Sequence, residues 1–390
     1  MLGDQIAAIA LPLTAVIALD ATPAQMGALT TAYLLPNLLF SLHAGVWVDR
    51  SGRRREVMLF ADVARGILTA TIPIAFALGG LTWGQLYGIS FLLGCASVFF
   101  YVSYGGFFQT IVAREDYVDA NTLLNGSRGF SFLAGTSLGG ILVQLLRGPF
   151  ALALDAGSFF WSALFLRKID APDAPGADRE TGGLTTGLRW IRNNPIMRAE
   201  LLGVATINLF NFVYWAMFLL YASRYLHVAP ATIGIVLGVA AVGTLVASAL
   251  VRPIARAIGV GPGFLIGCFV FTAPLLLVPV AQGSPHRLVI ALLFTAEFIS
   301  GMGLMFLDSL AGVIQAALVP PVVRSRVSGA FVVVNYGVRP LGTALAGVLG
   351  TTIGVHSTIW IGAGGALLGM AFLLPSPIRH IREVPEPAEL

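Results

Sequence analysis

Long apolar runs, separated by short polar breaks, follow one another along almost the whole chain. A helix that crosses a membrane needs about 20 mainly apolar residues. Strands of a membrane barrel would alternate polar and apolar residues, and these runs do not. We therefore predict an all-α membrane protein of twelve transmembrane helices. The predicted spans are the short run 5–19 and the runs 24–48, 56–79, 83–110, 125–147, 149–167, 198–224, 230–251, 261–281, 287–315, 325–349 and 355–375.

The first predicted helix is shorter than the others. Residues 5–19 rise about 22 Å at 1.5 Å per residue, against a hydrocarbon core of about 30 Å. No basic segment precedes them, so the run is not a signal peptide. We expect the native start to lie upstream of Met1, which leaves this helix truncated. N-terminal sequencing of the native protein tests this hypothesis, and a start at Met1 would contradict it.

One polar stretch interrupts the apolar pattern. Its first part is rich in proline and glycine, as in a flexible linker. In its second part Leu184, Leu188 and Ile191 share a face beside two arginines, which predicts a short amphipathic helix at the membrane surface. The predicted organisation is a six-helix half at 1–167, a cytoplasmic linker at 168–197, a second six-helix half at 198–377 and a cytoplasmic tail at 378–390.

Composition and charge agree with this topology. The chain is 57% hydrophobic and 11% charged, whereas a soluble domain carries about 25% charged residues. If the loop after the second helix is cytoplasmic, 18 of the 23 Lys and Arg residues fall on that side, three fall outside and two lie within spans. This bias predicts a multi-pass protein of the cytoplasmic membrane with both termini in the cytoplasm.

The sequence lacks the signatures of an enzyme or a cofactor protein. It has no phosphate-binding Gly-rich loop with Lys-Ser/Thr and no nucleophile elbow. Cys95 and Cys268 lie alone in apolar runs, so we expect neither a disulfide framework nor a metal site. We expect no cofactor and no nucleic acid, and a monomer whose partners are a small-molecule substrate, protons and the lipid bilayer.

A glycine- and arginine-rich motif follows the second predicted helix. Gly52 permits a tight turn there, and Gly45 permits close helix packing. Asp49 can meet an arginine or the positive N-terminus of a helix, and such contacts could latch the two halves in one conformation. The pattern resembles the loop signature of major facilitator transporters. We predict a conformational-switch motif at Gly45, Asp49, Arg50, Gly52, Arg53 and Arg54.

Other segments are similar to the drug-efflux branch of that family, which includes macrolide and enterobactin exporters. The resemblance implies two parallel six-helix repeats, a central cavity lined by helices 1, 4, 7 and 10, and proton antiport. Thr136 stands where exporters often have a proline in helix 5. The similar segments are 10–13, 61–66, 155–159, 187–195, 319–320 with 326–327, and 339–342.

Ionisable residues within spans are costly and are candidates for function. Asp62 and Arg65 lie three apart on one helical face, so we predict a structural ion pair, with a transport role as the alternative. Asp155 and Arg339 are predicted to belong to further buried ion pairs.

Two acids on the tenth predicted helix are candidates for proton coupling. Glu297 and Asp308 are eleven residues apart, which is about three helical turns, so their side chains lie almost on the same face of the helix. The alternative for Glu297 is an ion pair with Arg339, at a similar depth in the next helix. Asp4 in the first helix is a third candidate. We expect Glu297→Gln or Asp308→Asn to abolish proton-driven export, and unchanged transport in both would discard the relay.

Two polar and aromatic stripes are candidates for the substrate cavity, with plain helix–helix contact as the alternative for each. They are Tyr101, Tyr104 and Phe108 in helix 4, and Asn208, Asn211 and Trp215 in helix 7. The sequence favours a secondary transporter that exports amphipathic small molecules by proton antiport. Uptake, movement of a lipid or metabolite, or a non-transporting sensor or remnant stay open as alternatives.

Overall fold

A computed structural model describes residues 1–169 and 184–383. The helices before the linker are α1 (Leu2–Ala18), α2 (Pro23–Ser51), α3 (Arg54–Ala77), α4 (Trp83–Ile111), α5 (Tyr117–Leu146) and α6 (Gly148–Lys168). Those after it are α7 (Leu184–Asn193), α8 (Pro195–Arg224), α9 (Pro230–Ile258), α10 (Val260–Thr272), α11 (Leu277–Val280), α12 (His286–Leu318), α13 (Pro321–Thr352), α14 (Val355–Ala366) and α15 (Met370–Leu373). Short 3-10 segments join α10 to α11 and α14 to α15, so each pair acts as one span.

Ten helices in the described ranges are long and apolar enough to cross a membrane. They correspond to ten of the predicted spans, and the all-α class is confirmed. The short α1, with 17 residues, falls outside that set, and so does α2. The 29 residues of α2 include polar side chains such as Thr30 and Thr31, whose hydroxyls bond back to carbonyls one turn earlier. Such back-bonding lets a helix carry hydroxyls in apolar surroundings.

Local capping explains several helix ends. The Thr22 side chain accepts from the Gln25 backbone N–H, while the Gln25 side chain accepts from the Thr22 N–H. This reciprocal pair is a capping box, and it satisfies N–H groups that the first turn of α2 cannot bond internally. Asn194 caps α8 in the same sense, because its Oδ1 accepts from the N–H groups of Ile196 and Met197.

The contacts divide the chain into two compact units. The first contains Met1–Glu180 and Ala229–Ile235, and in it α4 packs against α2 and α3 while α6 packs against α1 and α3. The second contains Thr181–Val228 and Val236–Leu390, and in it α8 packs against α13 and α14 while α10 packs against α12.

The predicted amphipathic helix is present as α7. It packs against α13 in the second unit, with Ile191 buried and Gly187 against the backbone of Arg326. The proline-rich part of the predicted linker and the end of the predicted tail lie outside the described residues.

Close approach of helices in the second unit depends on glycines. On α12, Gly303 lies against the backbone of Phe271 and Gly301 against the backbone of Ala240. Gly267 of α10 lies where a side-chain carbon would come within 2.7 Å of the Phe306 Cβ. Small residues at such contacts let dispersion forces act between backbones, which matters in lipid because burying apolar surface brings little gain there.

The glycine contacts predict a position-specific loss of stability. Gly303→Ala should lower the thermal unfolding midpoint in detergent, because a methyl group would overlap the Phe271 backbone and overpacking costs about 1–3 kcal/mol. Gly312→Ala on the same helix is the matched control, since nothing lies within 4 Å of a methyl group there. Equal midpoints for the two variants would contradict the packing argument.

Candidate functional site

The predicted switch motif lies at the junction of α2 and α3. Gly52 ends α2 in the left-handed conformation, with φ of 67°, and its N–H donates to the Val48 carbonyl. A residue with a Cβ rarely adopts this conformation, so the predicted tight turn has a specific need for glycine. Gly45 differs from expectation, because the nearest atom to a side chain there, Val102 Cγ1, would be 4.0 Å away. Close packing is therefore not the reason for a glycine at position 45.

Asp49 and Arg54 form the central ion pair of the motif. Arg54 Nη2 lies 2.9 Å from Asp49 Oδ1, and both side chains are largely buried. The guanidinium also lies flat against Gly106 of α4, where a side-chain carbon would come within 2.6 Å of its Cζ. A charge-assisted hydrogen bond shielded from water in this way holds the loop more firmly than an exposed pair.

The remaining arginines of this loop, including Arg55 just after the motif, have different roles. Arg55 donates to the Ile169 carbonyl at 2.6 Å, which ties the loop to the end of α6. Arg50 is exposed, and Arg53 lies 3.8 Å from Glu56 with both side chains in contact with solvent. An exposed ion pair of that kind contributes at most about 1 kcal/mol to the stability of the folded protein.

A buried polar cluster occupies the interior of the first unit. Arg65 pairs with Asp62 as predicted, and Asp4 of α1 also lies 3.3 Å from the guanidinium. The guanidinium stacks between the rings of Phe100 and Phe159, at 4.2 and 4.5 Å from their centroids. Ion pairing together with cation–π contact stabilises a charge that lipid would otherwise exclude. Asp4, predicted as a proton carrier, therefore belongs to an ion-paired cluster.

The predicted ion pairing of Asp155 is wrong within the described residues. Its Oδ1 accepts a hydrogen bond from the Ser158 hydroxyl at 3.3 Å, and the nearby Arg65 is already bonded to Asp62 and Asp4. Its Nη1 and Nη2 groups bond to Asp4 and Asp62, and its Nε has no hydrogen-bond partner in the described residues, so Asp155 lies near the guanidinium without bonding to it.

In the second unit, Glu297 of α12 is 3% exposed. The fully buried hydroxyl of Tyr214, on α8, lies beside this carboxyl. Within the described residues, neither that hydroxyl nor Glu297 Oε1 has a well-formed hydrogen bond, and no cation forms an ion pair with Glu297. Glu297 and Tyr214 are thus a buried acid and a buried phenol that lie side by side without a well-formed hydrogen bond between them.

The alternative in which Arg339 pairs with Glu297 is not observed. The Arg339 guanidinium stacks on Tyr336 at 4.0 Å and on Phe212 at 5.0 Å, and its electrostatic partner is Asp308. Asp308 is exposed, unlike Glu297, so the two acids of the predicted relay have different surroundings. Arg339 makes no ion pair as close as 4.0 Å in the described ranges, so its predicted salt bridge is also wrong; aromatic faces hold it instead.

Comparison with known proteins agrees with these features. Residues 3–388 match the family described as transmembrane secretion effector, a branch of the major facilitator transporters. The chain belongs to this family. This transporter is therefore an integral, multi-pass membrane protein and not an enzyme.

Curated relatives cover most of its length. The multidrug efflux pump Tap of Mycolicibacterium fortuitum is 24% identical over 362 residues, which covers 87% of this chain and 83% of the pump. The uncharacterised MFS-type transporter YfiS of Bacillus subtilis is 24% identical over 394 residues, with 96% and 87% covered.

Solved structures share the fold. A bacterial homologue of the iron transporter ferroportin matches with a TM-score of 0.73 at 15% identity, covering 96% of this chain and 95% of that one. The nucleoside transporter NupG matches with a TM-score of 0.68 at 15% identity, covering 96% and 98%.

The two stripes predicted to line a cavity are only partly accessible in this transporter. On α4, Tyr101 is exposed, whereas Tyr104 stacks on Phe100. Phe108, one turn further on, packs against Tyr117. The structure therefore leaves Tyr101 as the most accessible member of the α4 stripe.

On α8, Asn208 donates back to the Val204 carbonyl at 3.1 Å, and Trp215 is partly buried against Phe218. Asn211 is buried, and its Nδ2 has no partner in the described residues. These residues stay candidates for substrate contact.

Sequence reasoning missed a second buried acid of the second unit. Glu200, near the start of α8, accepts a hydrogen bond from Gln315 of α12 at 2.6 Å. Its position five residues after a proline and close to arginines is typical of the headgroup region, so the sequence carried no signal that it is buried. Tyr214 was missed because an apolar run gives no sign of which aromatic residue faces an acid.

The Asp49–Arg54 pair predicts different effects at two adjacent glycines of α4. Gly106→Ala should reduce transport several-fold while protein level is retained, because a methyl group would displace the flexible Arg54 guanidinium from Asp49. Gly105→Ala is the matched control, since nothing lies within 4 Å of a methyl group there. Drug-resistance and vesicle transport assays measure the effect, and equal activity in the two variants would argue against a role for the pair.

Proposed function

We propose that this transporter is a secondary active efflux permease of the cytoplasmic membrane. It exports amphipathic small molecules in exchange for protons by alternating access, with both termini in the cytoplasm. The observation that carries the proposal is the Glu297 carboxyl, which is buried in a membrane span beside Tyr214 and has no cationic partner in the described residues.

The depth of this carboxyl supports a proton-linked role. Glu297 lies eleven residues from the start of α12, and Tyr214 lies ten residues before the end of α8. At 1.5 Å per residue these positions are about 15–17 Å from one end of helices that are about 45–50 Å long, so both side chains lie well inside their spans and away from the helix ends. An uncompensated charge at that depth costs several kcal/mol, whereas a neutral carboxylic acid beside a phenol is tolerated.

A carboxyl in this position can couple the binding of a proton to a conformational change of the transporter. It must hold a proton while it is surrounded by apolar groups, and it can release the proton when a conformational change admits water. The energy of a proton gradient is thereby linked to the conformations of the second unit. The Tyr214 hydroxyl can donate to the charged form or accept from the neutral form, so it suits either state.

Relatives and exposed aromatic groups support export of amphipathic molecules. Tap is named as a multidrug efflux pump and aligns with most of this chain. The exposed ring of Tyr101 and the partly buried ring of Trp215 provide apolar surface with a polar edge, which suits a substrate of mixed polarity. The likeness to NupG at 15% identity supports the fold alone, and uptake is the alternative. Everted vesicles separate the two directions, because an exporter accumulates substrate in them.

The proposal makes a direct prediction for Glu297. Glu297→Gln should reduce proton-driven accumulation in everted vesicles at least tenfold at normal protein level, because the amide fills the same space and cannot carry the proton. Glu115→Gln is the control, since Glu115 is exposed before α5. Substrate counterflow without a gradient should persist in both variants. Wild-type proton-driven export in Glu297→Gln would reject the coupling role.

Tyr214 and Tyr221, both buried on α8, should respond differently to loss of the hydroxyl. Tyr214→Phe should lower proton-driven export about tenfold and leave the unfolding midpoint unchanged, because its hydroxyl makes no well-formed hydrogen bond in the described residues. Tyr221→Phe should lower the midpoint and spare export, because it loses contacts to Gln282 at 3.0 Å and to His356 at 2.8 Å. The reverse pattern in stability and transport measurements would contradict the assignment of Tyr214.

A further inference from the structure

Glu200 is buried in a way that its place near a helix end does not suggest. It is 1% exposed, five residues into α8. The apolar core around this end of the second unit includes Met197, Cys268 and Ile314, each almost fully buried. The side chain therefore points into packed apolar groups and not towards the headgroup region.

The contacts of this carboxyl are few. Gln315 Nε2 donates to Glu200 Oε1 at 2.6 Å, and Oε2 has no hydrogen-bond partner in the described residues. No ion pair to Glu200 is found in the same ranges. The helices packed on α8 include α7 and α13, which carry arginines at this end, and Arg324 donates to the carbonyls of Ala316 and Val319. Cys268 is the titratable group that faces Glu200 from α10.

The identity of residue 315, the hydrogen-bond partner, decides which protonation states of Glu200 are compatible with the contact. An arginine or lysine at position 315 would strongly favour the charged carboxylate over the neutral acid. A glutamine amide can donate through Nε2 to the carboxylate, or accept through Oε1 from the hydroxyl of the carboxylic acid. The Glu200–Gln315 pair is thus compatible with both protonation states, and burial without a counter-charge makes the charged state the costly one.

The pair also lies on the same two helices as Glu297 and Tyr214. Along α8, Glu200 is 14 residues from Tyr214, which is about 21 Å. It lies near the start of α8, and Gln315 lies near the end of α12. Buried Asn211 and exposed Asp308 occupy intermediate positions on these helices. Both Asp308 and Glu200 interact electrostatically with Cys268 of α10. Polar groups therefore recur along the α8–α12 pair from mid-span to one end.

We propose that Glu200 is a second proton-binding site of this transporter, positioned by Gln315, at the end of the second unit where α8 begins and α12 ends. The proton is bound as the carboxylic acid and released as water or a neighbouring group accepts it. The part this site has in transport rests on the proposed proton antiport, whereas proton binding by Glu200 does not.

Infrared difference spectroscopy of the full chain in lipid nanodiscs, recorded between acid and alkaline buffer, tests proton binding directly. Wild type should show a carbonyl-stretch band of a protonated carboxylic acid that is absent from Glu200→Gln and retained in Glu115→Gln. Gln at position 200 keeps an amide hydrogen bond to Gln315, so the variant should fold. If it does not, Gln315→Leu provides the second test, because loss of the donor should shift the same band. A spectrum unchanged in both variants overturns the proposal.

Transport gives the second readout. Glu200→Gln should reduce proton-driven export at least tenfold and retain substrate counterflow. If wild type is proton-driven and Glu200→Gln matches it, the coupling role of Glu200 is overturned. If wild type shows no proton-driven export while the band is lost in Glu200→Gln, antiport fails as the function and Glu200 still stands as a proton site.

Discussion

Hydrocarbon offers no hydrogen-bond partner and little solvation for charge, and that constraint shapes the rest of this transporter. Every backbone N–H and C=O group within a span must form a hydrogen bond within the protein, and the spans of this chain meet that requirement as α-helices. Several hydroxyl groups inside spans, such as those of Thr136 and Thr343, bond back to carbonyls of their own helix. Charged groups within spans then require partners, or they stay neutral, and the two units resolve this requirement differently.

In the first unit the charges compensate one another. Arg65 holds two aspartates and is stacked between two phenyl rings, so the cluster fastens α1, α3, α4 and α6 together. Breaking one member of such a cluster leaves a buried charge without a partner, which is strongly destabilising. A structural role suits this arrangement better than a mobile proton does.

In the second unit the two buried acids have no ion-pair partner within the described residues. Glu297 and Glu200 face neutral side chains, Tyr214 and Gln315, that can bond either protonation state. The one intramembrane arginine of this unit, in the described ranges, stacks on aromatic rings near the exposed Asp308. The contrast between a charge-balanced cluster and two unbalanced carboxyls supports the proposal that proton coupling involves the second unit.

The sequence alone determined the all-α class, ten membrane-spanning helices in the described ranges and the family, because apolar length and the loop motif at Asp49–Arg54 are local properties of the chain. The Asp62–Arg65 pair was also accessible, since three residues on a helix place two side chains on one face. Contacts between distant segments were not. Asp4 lies 61 residues from Arg65 and Glu200 lies 115 from Gln315, and only the packing of helices brings them together. The prediction for Arg339 failed for the same reason: depth in the membrane can be counted along a helix, but the direction in which a side chain points is set by its neighbours.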